Sequence, residues 1–184
     1  MAPRKRSAEE APTICQKGTP VLHRRAEPVP EANIGSPPMR ALVDHMVRVM
    51  RAAPGVGLAA PQIGVGLRIF VAEDPPDYQE GVAQETLTRT EREPFTLKVF
   101  FNPVLVPSPA AGTATFREGC LSADGESAEV TRFLEVIVTG LDANAQPVRW
   151  HARGWQARIA QHEFDHLEGT LYLDKMQVDT HQRG

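Results

Sequence analysis

A chain of 184 residues, 41% hydrophobic and with a net charge of −3, is long enough for one domain with a buried core and has no basic surplus that would direct it to nucleic acid. No apolar stretch approaches the roughly 20 residues of a membrane span. The two cysteines, Cys15 and Cys120, lie far apart and no signal peptide precedes them, which argues against a disulfide scaffold.

The opening segment, Met1 to Thr13, mixes basic and acidic side chains with proline and reads as a disordered extension, too acidic for a good transit peptide. Ser36 followed by Pro37 reads as a helix N-cap and first position. Met39, Leu42, Val43, Met46, Val47 and Met50 then mark one buried helical face, which ends at Pro54-Gly55. Next comes Gly55-Val56-Gly57-Leu58-Ala59-Ala60-Pro61-Gln62-Ile63-Gly64. Its start matches a Gly-x-Gly-x-x-Ala dinucleotide fingerprint, and Glu73 and Asp74 follow at about the distance of a ribose carboxylate. Context rules that out: the fingerprint must follow a strand and open a helix, whereas a helix precedes it here and Pro61, Gly64 and Gly66 leave no room for another. The segment is read instead as a Gly-rich loop that lets backbone approach a ligand and presents the amide of Gln62.

Strands are expected at Leu67 to Val71, Lys98 to Phe101, Thr113 to Phe116, Leu134 to Leu141 and Val148 to Ala152, with Asp142 to Gln146 turning the last pair into a hairpin. Between the first two, Glu73 to Pro94 is polar, contains Pro75-Pro76 and has no clear period, so a long mobile loop is expected. Runs of strand followed by one C-terminal helix predict an α+β fold and not a parallel sheet.

Chemistry concentrates in His162-Glu163-Phe164-Asp165-His166. On a helix, two histidines four apart share a face and can reach one metal ion, with Glu163 beside it as a base. Trp155 and Ile159 extend the same stripe, and Gly169 supplies the helix stop. A zincin would place its third ligand downstream, but Glu168 is too close to His166 and His181 lies in a polar tail that reads as frayed. Upstream, Glu118-Gly119-Cys120-Leu121-Ser122 puts Cys120 between a strand and a Gly-containing turn. One thiolate with two imidazoles leaves a tetrahedral ion one open position for water. Two other readings stay open: a zincin-like metallopeptidase with a third His or Glu, and a non-catalytic domain whose structural zinc takes Cys15 as fourth ligand.

The strings GVGLAAPQIG, EGCLS and QHEFDH, in this order and at these separations, resemble the three motifs of the peptide deformylase family. The similarity runs from Ile14 to Met176, and EPFTLKVFFNP, RFLEVIVTGLD and ARGWQARIAQHE resemble the type 1 branch that includes the organellar enzymes. The resemblance implies a catalytic domain over 14–176 with a tail at 177–184, and an α+β fold of antiparallel sheets packed around a central C-terminal metal-binding helix. It implies removal of the N-formyl group from the N-terminal formylmethionine of nascent polypeptides, with release of formate. Cys120, His162 and His166 would hold one divalent ion, Fe2+ physiologically, with Zn2+, Ni2+ or Co2+ as substitutes. A thiolate and two neutral imidazoles leave that complex one net positive charge, so a bound water ionises near pH ~7. Glu163 would take the proton, while the Gln62 amide and the Leu121 backbone N–H meet the charge growing on the formyl oxygen.

Val56, Gly57, Glu118, Gly119, Trp155, Arg158 and Ile159 are implied to border the substrate, and Arg132 to pair with Asp165 and hold the helix against a strand. Three positions depart from the pattern. Ala123 and Ser127 replace a larger apolar residue and a basic one, which predicts weaker peptide anchoring. Arg158 stands where many bacterial relatives line the methionine pocket with an apolar residue, which predicts a changed pocket shape. The implied partners are N-formylmethionyl peptides at the ribosome exit, with no direct nucleic-acid or membrane binding, for a monomer or weak homodimer. The implied compartment is a bacterial cytoplasm, with an organellar matrix kept open.

Overall fold

A computed structural model describes residues 13–184, so the expectation for the opening segment lies, apart from Thr13, outside the described residues. Helix α1 (Pro37–Ala52) starts directly after Ser36, whose backbone is extended, and Pro37 takes the first helical position. It buries Val43, Met46, Val47, Val49 and Met50. Eight strands follow or flank two further helices: β1 (Gly57–Ala59), β2 (Ile69–Asp74), α2 (Gln84–Arg89), β3 (Phe95–Pro107), β4 (Thr113–Gly119), β5 (Glu126–Phe133), β6 (Glu135–Leu141), β7 (Pro147–Arg153), α3 (Gly154–Leu167) and β8 (Gln182–Arg183).

The strands form a five-stranded sheet in the order β1-β2-β3-β6-β7 and a three-stranded sheet in the order β4-β5-β8, all neighbours antiparallel. β2 is buried on both faces, and its alternation divides the core. Ile69 and Val71 pack with Met46 and Met50 of α1, whereas Phe70 and Ala72 pack with Phe100, Trp150 and, from α3, Ile159 and Ala160. α3 touches β1, β2, β6 and β7 of the large sheet and β5 of the small one, so its faces are covered from both sides. The helix stops at Gly169, where φ is +73° and an added Cβ would come within 2.7 Å of the Arg24 carbonyl carbon. None of the helices among the described residues is long and apolar enough to cross a membrane.

The fold departs from the sequence-based expectations in five places. The segment expected as a Gly-rich loop holds β1 and a helical turn at Ala60–Ile63, because Gly57 to Ala59 pair with β2. β5 was not expected at all. Its inward positions are Ala128, Val130 and Arg132, and a buried arginine interrupts the alternation that marks a strand. β3 runs well beyond Lys98 to Phe101, through an irregularity in register between Phe101 and Val104. Asn102 turns left-handed there at φ 49°, and its side chain both accepts from the Val29 N–H (2.8 Å) and donates to the Val29 carbonyl (2.7 Å). The segment after Glu73 is not a structureless loop: it contains the rest of β2, a short helical turn at 76–79 and α2. Arg92 pins it by donating Nε and Nη2, each at 2.7 Å, to the fully buried carboxylate of Asp74. Finally, the tail is not frayed: β8 pairs with β5, and His181 Nε2 lies 2.7 Å from Glu126 Oε2.

Candidate metal centre

α3 is a helix through the whole histidine motif, so His162 and His166 rise one above the other, their ring centroids 5.1 Å apart. Cys120 follows directly on the end of β4, where the chain leaves the small sheet for the turn before β5. Its sulfur is 3.3 Å from His166 Nε2, and the three ligand-type atoms of Cys120, His162 and His166 lie within 4.8 Å of one another. Atoms bonded to one tetrahedral ion at about 2.0–2.3 Å are separated by about 3.3–3.8 Å, and the Cys120–His166 pair already has that spacing, so small side-chain shifts would let the set close on such an ion. Among the described residues no other group of this kind occurs, and neither Cys15 nor a downstream His or Glu joins it.

A chain of charges lies behind the ligands. His162 Nδ1 is 3.0 Å from Glu118 Oε2, which leaves Nε2 to face Cys120. The Glu118 carboxylate also accepts from Arg132 Nε and Nη2, both at 2.9 Å, and from Arg158 Nη1 at 2.6 Å. Arg132 in turn pairs with Asp165, which also accepts from Lys175 Nζ at 2.5 Å. Burial opposes ionisation of Glu118, but His162 and Arg132 overcome it and hold its carboxyl far below the usual range. Burial likewise opposes a proton on His162, yet the Cys120 thiolate and Glu118 push its affinity well up; at His166 burial and the neighbouring His162 charge keep it well down.

Glu163 faces the other way, toward β1. It is 4% exposed, its Oε2 has no protein hydrogen-bond partner, and burial raises its pKa to about 7. Gln62 sits in a 3-10 turn after β1 and is 1% exposed. Its Oε1 accepts from the Ala59 N–H at 2.8 Å, which fixes the amide so that Nε2 points at Ser122 Oγ (3.3 Å) and Cys120 Sγ (3.6 Å). The Leu121 carbonyl accepts from Gln16 Nε2 at 3.0 Å.

A cavity of about 850 Å³ opens on this group. Val56, Gly57, Gly119, Trp155 and Ile159 border it together with Cys120, His162 and Glu163. Glu118 and Arg158 border it too, but their polar atoms are engaged by the protein. Arg158, 4% exposed, also donates to the carbonyls of Val130 (3.0 Å) and Ala114 (2.8 Å) and lies over the Phe116 ring. These two residues act from within the wall and do not offer free charges to an occupant. Ser122 belongs to the EGCLS motif but its contact with Gln62 was not expected, and three further residues at the site carry no motif. Ser122 meets the Gln62 amide, Tyr172 stacks on His162 with centroids 5.9 Å apart, Gln16 braces the Cys120 turn, and Arg92 lies over Trp155. The Gln16 and Arg92 contacts join segments far apart in the chain, and Tyr172 reaches His162 only because the chain turns back after α3.

Fold and site together define an α+β protein in which one cysteine and two histidines that could hold a metal ion converge beside a buried carboxylate. The chain matches the polypeptide deformylase family over residues 11–182 and belongs to that family. It is 50% identical over 172 residues to peptide deformylase 1A, chloroplastic/mitochondrial, of Arabidopsis thaliana, covering 94% of this chain and 64% of that one. It is 43% identical over 167 residues to the mitochondrial peptide deformylase of Homo sapiens, covering 91% and 68%. A Met-Ala-Ser-bound crystal structure of class I type b peptide deformylase from Acinetobacter baumannii superposes with a TM-score of 0.77 at 29% identity, covering 89% and 96%.

Proposed function

We propose that this protein is a metal-dependent peptide deformylase that hydrolyses the N-formyl group of N-terminal formylmethionine on nascent polypeptides. The observation that carries this is the convergence of Cys120, His162 and His166, with Glu163 and Gln62 bordering the same cavity. The domain over 14–176 carries out the reaction. Cys120, His162 and His166 hold the ion, which when bound supplies a Lewis acid and a water of lowered pKa. Glu163 removes a proton from the attacking water and passes it to the departing amine nitrogen, a role suited to a carboxylate whose proton affinity burial has raised toward neutrality. Gln62 Nε2–H and the Leu121 backbone N–H stabilise the charge that grows on the formyl oxygen. Val56, Gly57, Trp155 and Ile159 border the methionine side chain, while Glu118 and Arg132 hold His162 and Asp165 in place. Formate and a free N-terminal amine leave.

The resident ion is Fe2+, with Zn2+, Ni2+ or Co2+ as substitutes, since mixed sulfur and nitrogen ligands accept all of them. N-formylmethionyl peptides are met at the ribosome exit, by a monomer or weak homodimer. The setting is a bacterial cytoplasm or an organellar matrix, and the relatives from chloroplasts and mitochondria support the second. The deciding experiment is formate release from formyl-Met-Ala-Ser by protein reconstituted with one equivalent of metal and, in parallel, stripped of it. Metal-dependent formate release with turnover supports the reading; a fully loaded protein that releases none refutes it.

A further inference from the structure

We propose that Gly57 is a positioning residue for Glu163: the side chain it lacks leaves the socket in which the Glu163 carboxylate rests. Only the expected effect on rate rests on the deformylase reading. A Cβ placed on Gly57 would lie 2.6 Å from Glu163 Cδ and 2.8 Å from Cγ, and closer still to Oε1. The three nearest atoms it would meet all belong to Glu163. Nothing in the local backbone calls for glycine. Gly57 lies in β1, paired in antiparallel register with Ala72, and its φ is outside the left-handed region. The glycine is therefore explained by what faces it across the core, not by the turn chemistry that usually explains a Gly-rich segment.

The socket matters because little else aims this side chain. Glu163 Oε2 is buried without a protein donor, whereas His162 is oriented by Glu118. A carboxylate on a helix has few allowed rotamers, so a wall of van der Waals contact is enough to select one. Adding a methyl group at position 57 removes that rotamer. The carboxylate must then swing toward the cavity or away from it, and a displacement of about 1 Å costs a reaction on the order of 100-fold.

The test is a double-mutant cycle on metal-loaded protein, read as formate release, metal stoichiometry and thermal midpoint. Gly57→Ala is combined with parent Glu163, with Glu163→Asp, whose carboxylate is one carbon shorter, and with Glu163→Ala. In the parent, Gly57→Ala lowers kcat by about 100-fold, keeps one equivalent of metal and lowers Tm. Beside Glu163→Asp it lowers kcat by less than about threefold, and beside Glu163→Ala the Tm loss disappears. Should Gly57→Ala fold only when Glu163 is shortened, the socket is equally supported. An equal Tm loss with and without the Glu163 side chain, a full rate loss on top of Glu163→Asp, or failure to fold in every background would overturn the proposal. Because the Tm cycle needs no turnover, a parent inactive on formyl peptides would refute the deformylase reading while the socket is still decided.

Discussion

The two working sides of α3 are held by opposite means. Behind His162, a buried carboxylate gathers hydrogen bonds from Arg132, Arg158 and the imidazole itself, and Asp165 anchors the same arginine from the helix. Around Glu163, one residue further along, Oε2 has no protein donor and the fit against Gly57 decides where the carboxylate sits. The difference suits what the proposed reaction would ask of each group. A metal ligand must present one nitrogen in one direction, and a hydrogen bond to its other nitrogen secures that. A base must keep proton affinity, and every donor given to a carboxylate would lower its pKa. Burial without donors raises Glu163 to about 7, while donors hold Glu118 far below the usual range.

Breaking the charged side should have the larger consequences. Cys120→Ser, His162→Ala and His166→Ala are each expected to lose the metal, because a three-ligand site forfeits much of its affinity with any one ligand; metal analysis after gel filtration checks this, and full occupancy in any of them contradicts the ligand set. Arg132→Met would leave Glu118 with only Arg158 and His162 and Asp165 with only Lys175, a loss of about 1–3 kcal/mol in urea unfolding for the unmet carboxylate oxygens. A loss under about 1 kcal/mol would mean that water already reaches the pair.

Smaller changes sharpen the contrast. Gln62→Leu should raise the activation free energy by about 2–4 kcal/mol at unchanged metal content, the scale of one lost oxyanion donor. A change of similar volume would by itself leave the loop intact, but Gln62 Oε1 is the acceptor for the buried Ala59 N–H, so stability should also fall by about 1–3 kcal/mol. Parent-like turnover in Gln62→Leu would reduce Gln62 to a turn residue. Glu118→Gln keeps the shape and removes the charge, and should weaken metal binding by about 10- to 100-fold in a chelator competition while the fold survives. Unchanged affinity there would show that His162 needs no anionic partner.

How far the sequence foretold this arrangement depended on the range of the interaction. α3 was legible because its histidine pair, apolar stripe and terminal glycine are all local, and α1 because Ser36-Pro37 and six apolar positions agree. The hairpin of β6 and β7 was legible for the same reason. β5 was hidden by Arg132, an inward-facing charge that makes sense only beside Glu118 and Asp165. Order in the segment after Glu73 rests on contacts such as the buried ion pair between Arg92 and Asp74 and the bond from Arg92 to the Tyr78 carbonyl, which no periodicity reports. Within the site, Cys120, the histidines, Glu163 and Gln62 could be named from motif chemistry. That Arg158 faces Glu118, or that Gly57 makes room for Glu163, could not, since both contacts join segments far apart in the chain.

The most direct test of this division between ligands and base is Glu163→Ala, measured for metal and for formate release in the same preparation. The expected result is one equivalent of metal per chain, as in the parent, with kcat on formyl-Met-Ala-Ser reduced by about 100-fold or more. Loss of the metal would make Glu163 part of the ligand set, and parent-like turnover with metal in place would mean that another group takes the proton.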